Sequence, residues 1–226
     1  MSKKIRMSSE RVVLAFDIER SGATSDYDTI AIGASIVDNN LCELDRYYCN
    51  CYFPSETKFE KRCYEQFWSK NLDTLESLKY SGEKSKAERE KEMIEGFQNF
   101  RSKWEKCAKE DKIDYYLVSD NNVYDGNFIN ELINKYIPSS LPIPYNASDK
   151  EYESFFETHS MAKGFLLANG IKGDWNVMDK IRGIYEIPES KIKHDHNPAN
   201  DAYTIAHDAQ ILFDLGLGKY KKIVNQ

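Results

Sequence analysis

Basic excess is the first thing this chain lacks. Against 37 aspartates and glutamates stand 31 lysines and arginines, a net charge of −6, so the overall positive field that holds proteins non-specifically on long duplexes is absent. Any contact with a polyanion must then be local. Paired cysteine spacing is missing too: the five cysteines, Cys42, Cys49, Cys51, Cys63 and Cys107, are odd in number and form no C-x-x-C, the nearest approach being Cys49-Asn50-Cys51. Reduced structural thiols are the expectation, rather than a disulfide framework or a zinc–cysteine site. No apolar run reaches the roughly 18 residues of a membrane span, and Met1 to Glu10 is polar, with three basic residues and no apolar stretch, unlike a secretory leader. A soluble, intracellular protein with no membrane partner is expected, cytoplasmic in preference to nuclear. Repeats, low-complexity tracts and linkers are also absent. The 226 residues, 41% hydrophobic and 13% aromatic, suit one packed domain: a loose arm over 1–10 and a single domain over 11–226. Nothing in the pattern speaks to oligomeric state.

What is present reads as α/β. Val12 to Ile18, Thr29 to Val37 and Arg46 to Phe53 are three strand-like runs, the last two separated by the turn signal Asp38-Asn39-Asn40, which predicts an antiparallel meander. Within the charged stretch from Phe59 to Ala108, residues Met93, Ile94, Phe97, Phe100 and Trp104 recur at helical spacing. Tyr115 to Ser119 then reads as a buried strand, joining the sheet in parallel because a helix precedes it. Phe128, Ile129, Leu132, Ile133 and Tyr136 stripe the next helix, after which Pro138, Pro142 and Pro144 mark a loop. Two further helices are predicted over Ser160 to Leu167 and Trp175 to Tyr185, and a last one from about Asn200 to Leu215. The predicted architecture is a mixed sheet, a three-strand antiparallel meander plus parallel strands, flanked by helices.

Asp17 and Glu19 end the first strand two residues apart, so strand alternation points both carboxylates the same way. An acidic pair at a strand end is ordinarily just solvated. Here the run before it, Val-Val-Leu-Ala-Phe, is buried-strand sequence, which puts two anions at the edge of a core, where they need a cation. Asp125 shares a helix face with Phe128, Ile129 and Leu132, and Asp201 precedes Ile205 by one turn on a stripe of Ala202, Ile205, Ala206, Ala209, Leu212 and Phe213. Either aspartate alone would be read as a helix cap. His196 lies in the loop leading into that last helix. Together, carboxylates of this kind can hold two Mg²⁺ or Mn²⁺ ions that stabilise the attacking and leaving oxygens of a phosphate displacement, and an imidazole with a pKa of about 6.5 can accept the proton of the attacking water.

Phe16-Asp17-Ile18-Glu19, then Ser119 to Asp125 with an aromatic–aspartate pair at its end, then His196-Asn-Pro-Ala-Asn-Asp201-Ala202 resemble, in order and spacing, the three motifs of the DEDDh 3′-to-5′ exonucleases of the ribonuclease H-like superfamily, which include polymerase proofreading subunits and RNase T. The resemblance spans almost the whole chain. It departs at Asp120, which stands where the second motif commonly has histidine. What it implies is a ribonuclease H-like fold, two divalent ions, Mg²⁺ or Mn²⁺, held by Asp17, Glu19, Asp125 and Asp201, and His196 as general base. The implied partner is the 3′ end of single-stranded RNA or DNA, trimmed to 5′-monophosphates, with Ile18 as a wedge and Glu19 reaching the terminal 3′-hydroxyl. Phe67-Trp68 resembles an aromatic pair of exoribonuclease-like members that stacks on bases; core packing is the competing role for both rings. Lys58, Lys61, Arg62 and Lys70 surround that pair, and Lys180, Arg182, Lys191 and Lys193 precede the histidine loop, so either set could track a short backbone. His194, His159 and His207 fall outside the motif and are expected to be structural or superficial. Two alternatives share the fold: a catalytically silent module binding nucleic acid or protein, and an endonuclease using the same metals.

Overall fold

The computed structural model describes residues 10–140, 154–174 and 176–223. Five strands form one mixed sheet in the order β3-β2-β1-β4-β5. Strands β1 (Arg11–Arg20), β2 (Thr29–Asp38) and β3 (Glu43–Asn50) make the antiparallel meander, while β4 (Asp114–Ser119) and β5 (Ser154–Glu157) continue the sheet in parallel on the other side of β1. The most apolar strands are therefore central, as burial on both faces requires.

Alternation along β1 sorts its side chains into two cores. Val12, Leu14, Phe16 and Ile18 pack with Met93, Ile94, Phe97, Phe100 and Trp104 of α3 (Lys86–Asp111) and with Phe128 and Ile129 of α4 (Asn127–Tyr136). Val13 and Ala15 face the other way, against Tyr203, Ile205, Ala206 and Ala209 of α7 (Pro198–Gly216). The helical spacing that predicted α3 is thus the stripe that covers one face of the sheet. A capping box starts that helix: the Ser85 hydroxyl accepts from the Glu88 amide at 3.4 Å and the Glu88 carboxylate accepts from the Ser85 amide at 2.9 Å, satisfying two amides that have no intrahelical partner. Its other end turns through Lys112 in the left-handed region, φ 56°, a common way to stop a helix.

Differences from the expectation fall where local pattern is weak. The third strand runs from Glu43 to Asn50 instead of Arg46 to Phe53, because β3 is a sheet edge with few buried positions to mark its ends. Phe59 to Tyr80 holds two short helices, α1 (Lys61–Gln66) and α2 (Leu72–Ser77), joined by a 3₁₀ turn at Trp68–Lys70. The four-residue β5, Ser-Phe-Phe-Glu, is too short to announce itself. Helices α5 (Thr158–Ala168) and α6 (Val177–Arg182) complete the flank. The loop role given to Pro142 and Pro144, the helix start at Trp175 and nearly all of the 1–10 arm lie outside the described residues. Among the described residues no helix is long and apolar enough to cross a membrane.

Candidate metal centre

Asp17 and Glu19 continue the Val13, Ala15 series of β1, so both carboxylates emerge on the α7 side of the sheet. Helix α7 begins there. Asn197 caps it, its side-chain oxygen accepting from the Ala199 amide at 3.1 Å, and Pro198 occupies the first turn, where its missing N–H costs nothing. Asp201 follows in that same turn and is fully buried. What lets the helix end settle on the strands is Gly33, the cross-strand partner of Asp17. A Cβ at position 33 would stand 2.1 Å from the Ala199 amide nitrogen and 2.1 Å from the Pro198 carbonyl carbon, so only glycine admits so close a backbone approach. Reading the sequence for acids missed this residue, although a glycine inside a mostly apolar strand is a signal of close approach.

Asp17, Glu19 and Asp201 each bring a carboxylate oxygen within 4.8 Å of the other two, a group that could hold a metal ion. Asp125 stands outside that tight trio. It is buried in a single π-type turn, Asn122–Gly126, immediately before α4, rather than inside the helix itself. Its charge is still felt: burial first, and then neighbouring carboxylates that include Asp125 and Asp201, hold Asp17 and Glu19 well above the usual carboxylate range. Asp125 is likewise raised, by burial and then by Asp120. One oxygen each of Asp17, Asp125 and Asp201 is buried with no hydrogen-bond donor. Native interiors rarely leave such acceptors unmatched, and buried anions are normally paired or bound to metal. These donor oxygens fit a hard divalent cation.

Two imidazoles flank the trio. His194 Nδ1 lies 3.1 Å from Asp201 Oδ1, an oxygen that also accepts from the Asp195 amide at 3.0 Å. His194 was expected to be structural or superficial; it is exposed, yet it meets Asp201 directly, because the loop folds back over the first turn of α7. Asp195 reinforces that turn by accepting from the Asn200 side-chain amide at 2.9 Å. His196 takes a left-handed backbone, φ 62°, uncommon for a side chain of its size. Its ring meets His194 edge-to-face at 4.6 Å between centroids and Phe67 at 4.6 Å. The hydrogen bond with Asp201 pulls the His194 pKa up, whereas burial and then the neighbouring His194 push His196 below its ordinary value. His196 is therefore neutral near pH 7 and able to accept a proton. His207 is buried on α7 beside Tyr203.

The residues expected to touch substrate divide. Glu19 and Phe67 are partly exposed at the centre. Ile18 is buried in the α3 core, and Trp68 is fully buried, its indole N–H donating to the Arg20 carbonyl at 2.9 Å. Trp68 thus has the position of a core residue, with no ring face for a base to stack on. Half of the two basic sets are ion-paired: Lys61 pairs with Glu65, Arg62 with Glu60, Lys180 with Asp174, and Arg182 with Asp179 and Asp208. Asp120, which replaces the expected histidine, lines a cleft of about 320 Å³ together with His159, His194 and Asp208.

In comparisons with known proteins, no family model matches this chain and no curated protein matches it in sequence.

Proposed function

We propose that this chain is a metal-dependent 3′-to-5′ exonuclease of ribonuclease H-like fold that hydrolyses the terminal phosphodiester of single-stranded RNA or DNA and releases 5′-monophosphates. The observation that carries the reading is the set of three buried, donor-less carboxylate oxygens on Asp17, Asp125 and Asp201, gathered with Glu19 at the end of β1 beside His196. The five-stranded mixed sheet with helices on its faces is compatible with that fold.

Asp17, Glu19, Asp125 and Asp201 would hold two Mg²⁺ or Mn²⁺ ions, which when bound supply Lewis-acid stabilisation of the attacking and leaving oxygens. The protein's own groups do the rest. His196 accepts the proton of the attacking water at a ring nitrogen, in a loop that can bring the imidazole over the acids. Phe67, packed edge-on against His196, limits where that ring can go and shields one side of it from water. Glu19, at the open edge of the centre, is placed to accept from a terminal 3′-hydroxyl. The acidic net charge and the paired surface bases favour a short single strand over a long duplex.

The test is degradation of matched 5′-labelled single-stranded RNA and DNA with Mg²⁺ and with Mn²⁺, each oligonucleotide supplied with a free and a blocked 3′ end. Stepwise shortening of the free-ended strand alone is expected. Internal cutting of the blocked strand would mark an endonuclease, and no cleavage with either metal would overturn the hydrolytic reading. His196→Ala should abolish turnover with little change in folding; full activity in that variant would remove His196 as the base.

A further inference from the structure

We infer that His194, His196 and Asp201 form a second cation site, one selective for zinc-like ions over magnesium. These three residues each offer a donor atom within 4.8 Å of the other two, as a group distinct from Asp17, Glu19 and Asp201. Zinc bonds of about 2.0–2.1 Å in a tetrahedron hold ligand atoms about 3.3 Å apart, and the His194 Nδ1–Asp201 Oδ1 pair already has a 3.1 Å spacing. The His196 ring stands only 4.6 Å from the His194 ring, so a modest swing of one loop residue completes three protein ligands and leaves a fourth position open. Asp201 is fully buried, so the carboxylate that meets His194 is held in place by the first turn of α7, and its second oxygen has no donor of its own.

Ligand chemistry sets the selectivity. Two imidazoles and one carboxylate suit Zn²⁺, Co²⁺ or Ni²⁺, whereas Mg²⁺ prefers oxygen and keeps its waters. The acidic trio has the opposite character, and the two groups share Asp201. A zinc ion on His196 occupies the lone pair that would take the water's proton, so occupancy would silence turnover; that consequence rests on the exonuclease reading, whereas the site itself does not.

Calorimetric titration of the 226-residue chain with Zn²⁺, paired with visible absorption on titration with Co²⁺, tests the site directly. Three proteins are compared: the native chain, His194→Gln, and Asp17→Asn, which disables the acidic trio and leaves the histidine pair intact. The native chain and Asp17→Asn should both bind one Zn²⁺ and develop the Co²⁺ absorption of a low-coordinate site. His194→Gln should bind Zn²⁺ at least about 10-fold more weakly, since loss of even an outer-sphere partner costs that much, and should lose the absorption while its thermal unfolding stays cooperative. Native-like zinc affinity in His194→Gln, or loss of zinc together with Asp17, would overturn the proposal. Hydrolysis assayed with Mn²⁺ alone is a separate result: its absence overturns the exonuclease reading and leaves the zinc titration standing.

Discussion

Asp17 and Arg20 lie three residues apart on β1, both ionisable and both set into the protein, and they are treated in opposite ways. Arg20, only 5% exposed, uses its guanidinium fully: it donates to the Thr29 hydroxyl at 3.1 Å and to the carbonyls of Gly22, Thr24 and Tyr27, and it lies over the Phe128 ring at 3.4 Å. Its own carbonyl accepts from Trp68. That is a structural charge, which organises the loop after β1 and anchors the 3₁₀ turn. Asp17 has one buried oxygen with no donor, and its neighbours are more carboxylates. The first charge is matched by groups of the fold itself; the second carries the unmatched acceptor that the proposed metal ligand would fill.

Several substitutions would break or sharpen that contrast. The largest effect belongs to Asp17→Ala, which should lower hydrolysis by more than about 10³-fold, equivalent to about 4 kcal/mol of transition-state stabilisation, without lowering the metal-free melting temperature. A parallel loss of activity and fold would make Asp17 structural, like Arg20. Next comes Arg20→Ala, which removes four side-chain hydrogen bonds and the guanidinium lying over Phe128 and should cost about 3 kcal/mol, a fall in melting temperature of roughly 10 °C; a change under about 1 °C would show that the loop holds without it.

Gly33→Ala tests the join between the two regions. Its added methyl meets the backbone of Pro198 and Ala199, so α7 must move off the sheet, at a cost of about 2 kcal/mol. Calorimetry should show Mn²⁺ affinity falling with it, because Asp201 rides on the displaced turn, and undiminished affinity would contradict that coupling. The smallest effect is that of pH on the metal-free protein. Asp17, Glu19 and Asp125 bind protons more tightly folded than at their ordinary values of 3.8 and 4.5. Their contribution to stability is therefore fully present below those values and is lost as pH rises through the raised ones. Melting of the chelated protein should accordingly fall as pH rises above the ordinary carboxylate values, and saturating Mn²⁺ should restore most of the difference. A melting temperature insensitive to Mn²⁺ at pH 8 would leave the carboxylates without their proposed ligand.

Much of the fold was legible in the residues because its rules are local. A period of two along β1 put Asp17 and Glu19 on one face, and helical spacing from Met93 to Trp104 marked the face of α3 that covers the sheet. The apolar stripe from Ala202 to Phe213 marked α7, whose first turn starts at Pro198, two residues before the expected Asn200. Edge strand β3 was harder because few of its positions are buried, and the short β5 and the broken helices around Trp68 because their partners are distant in sequence.

By itself, then, the sequence determined which residue types were available and which face of each element they occupy, because side-chain direction repeats every two residues in a strand and about every 3.6 in a helix. Tertiary structure alone decided their company. It brought the loop back so that His194 meets Asp201, set Asp125 near but outside the tight acidic trio, split Phe67 from Trp68 between surface and core, and closed α7 onto Gly33. Such placements depend on how loops and whole elements pack against one another, and local sequence pattern does not carry that information.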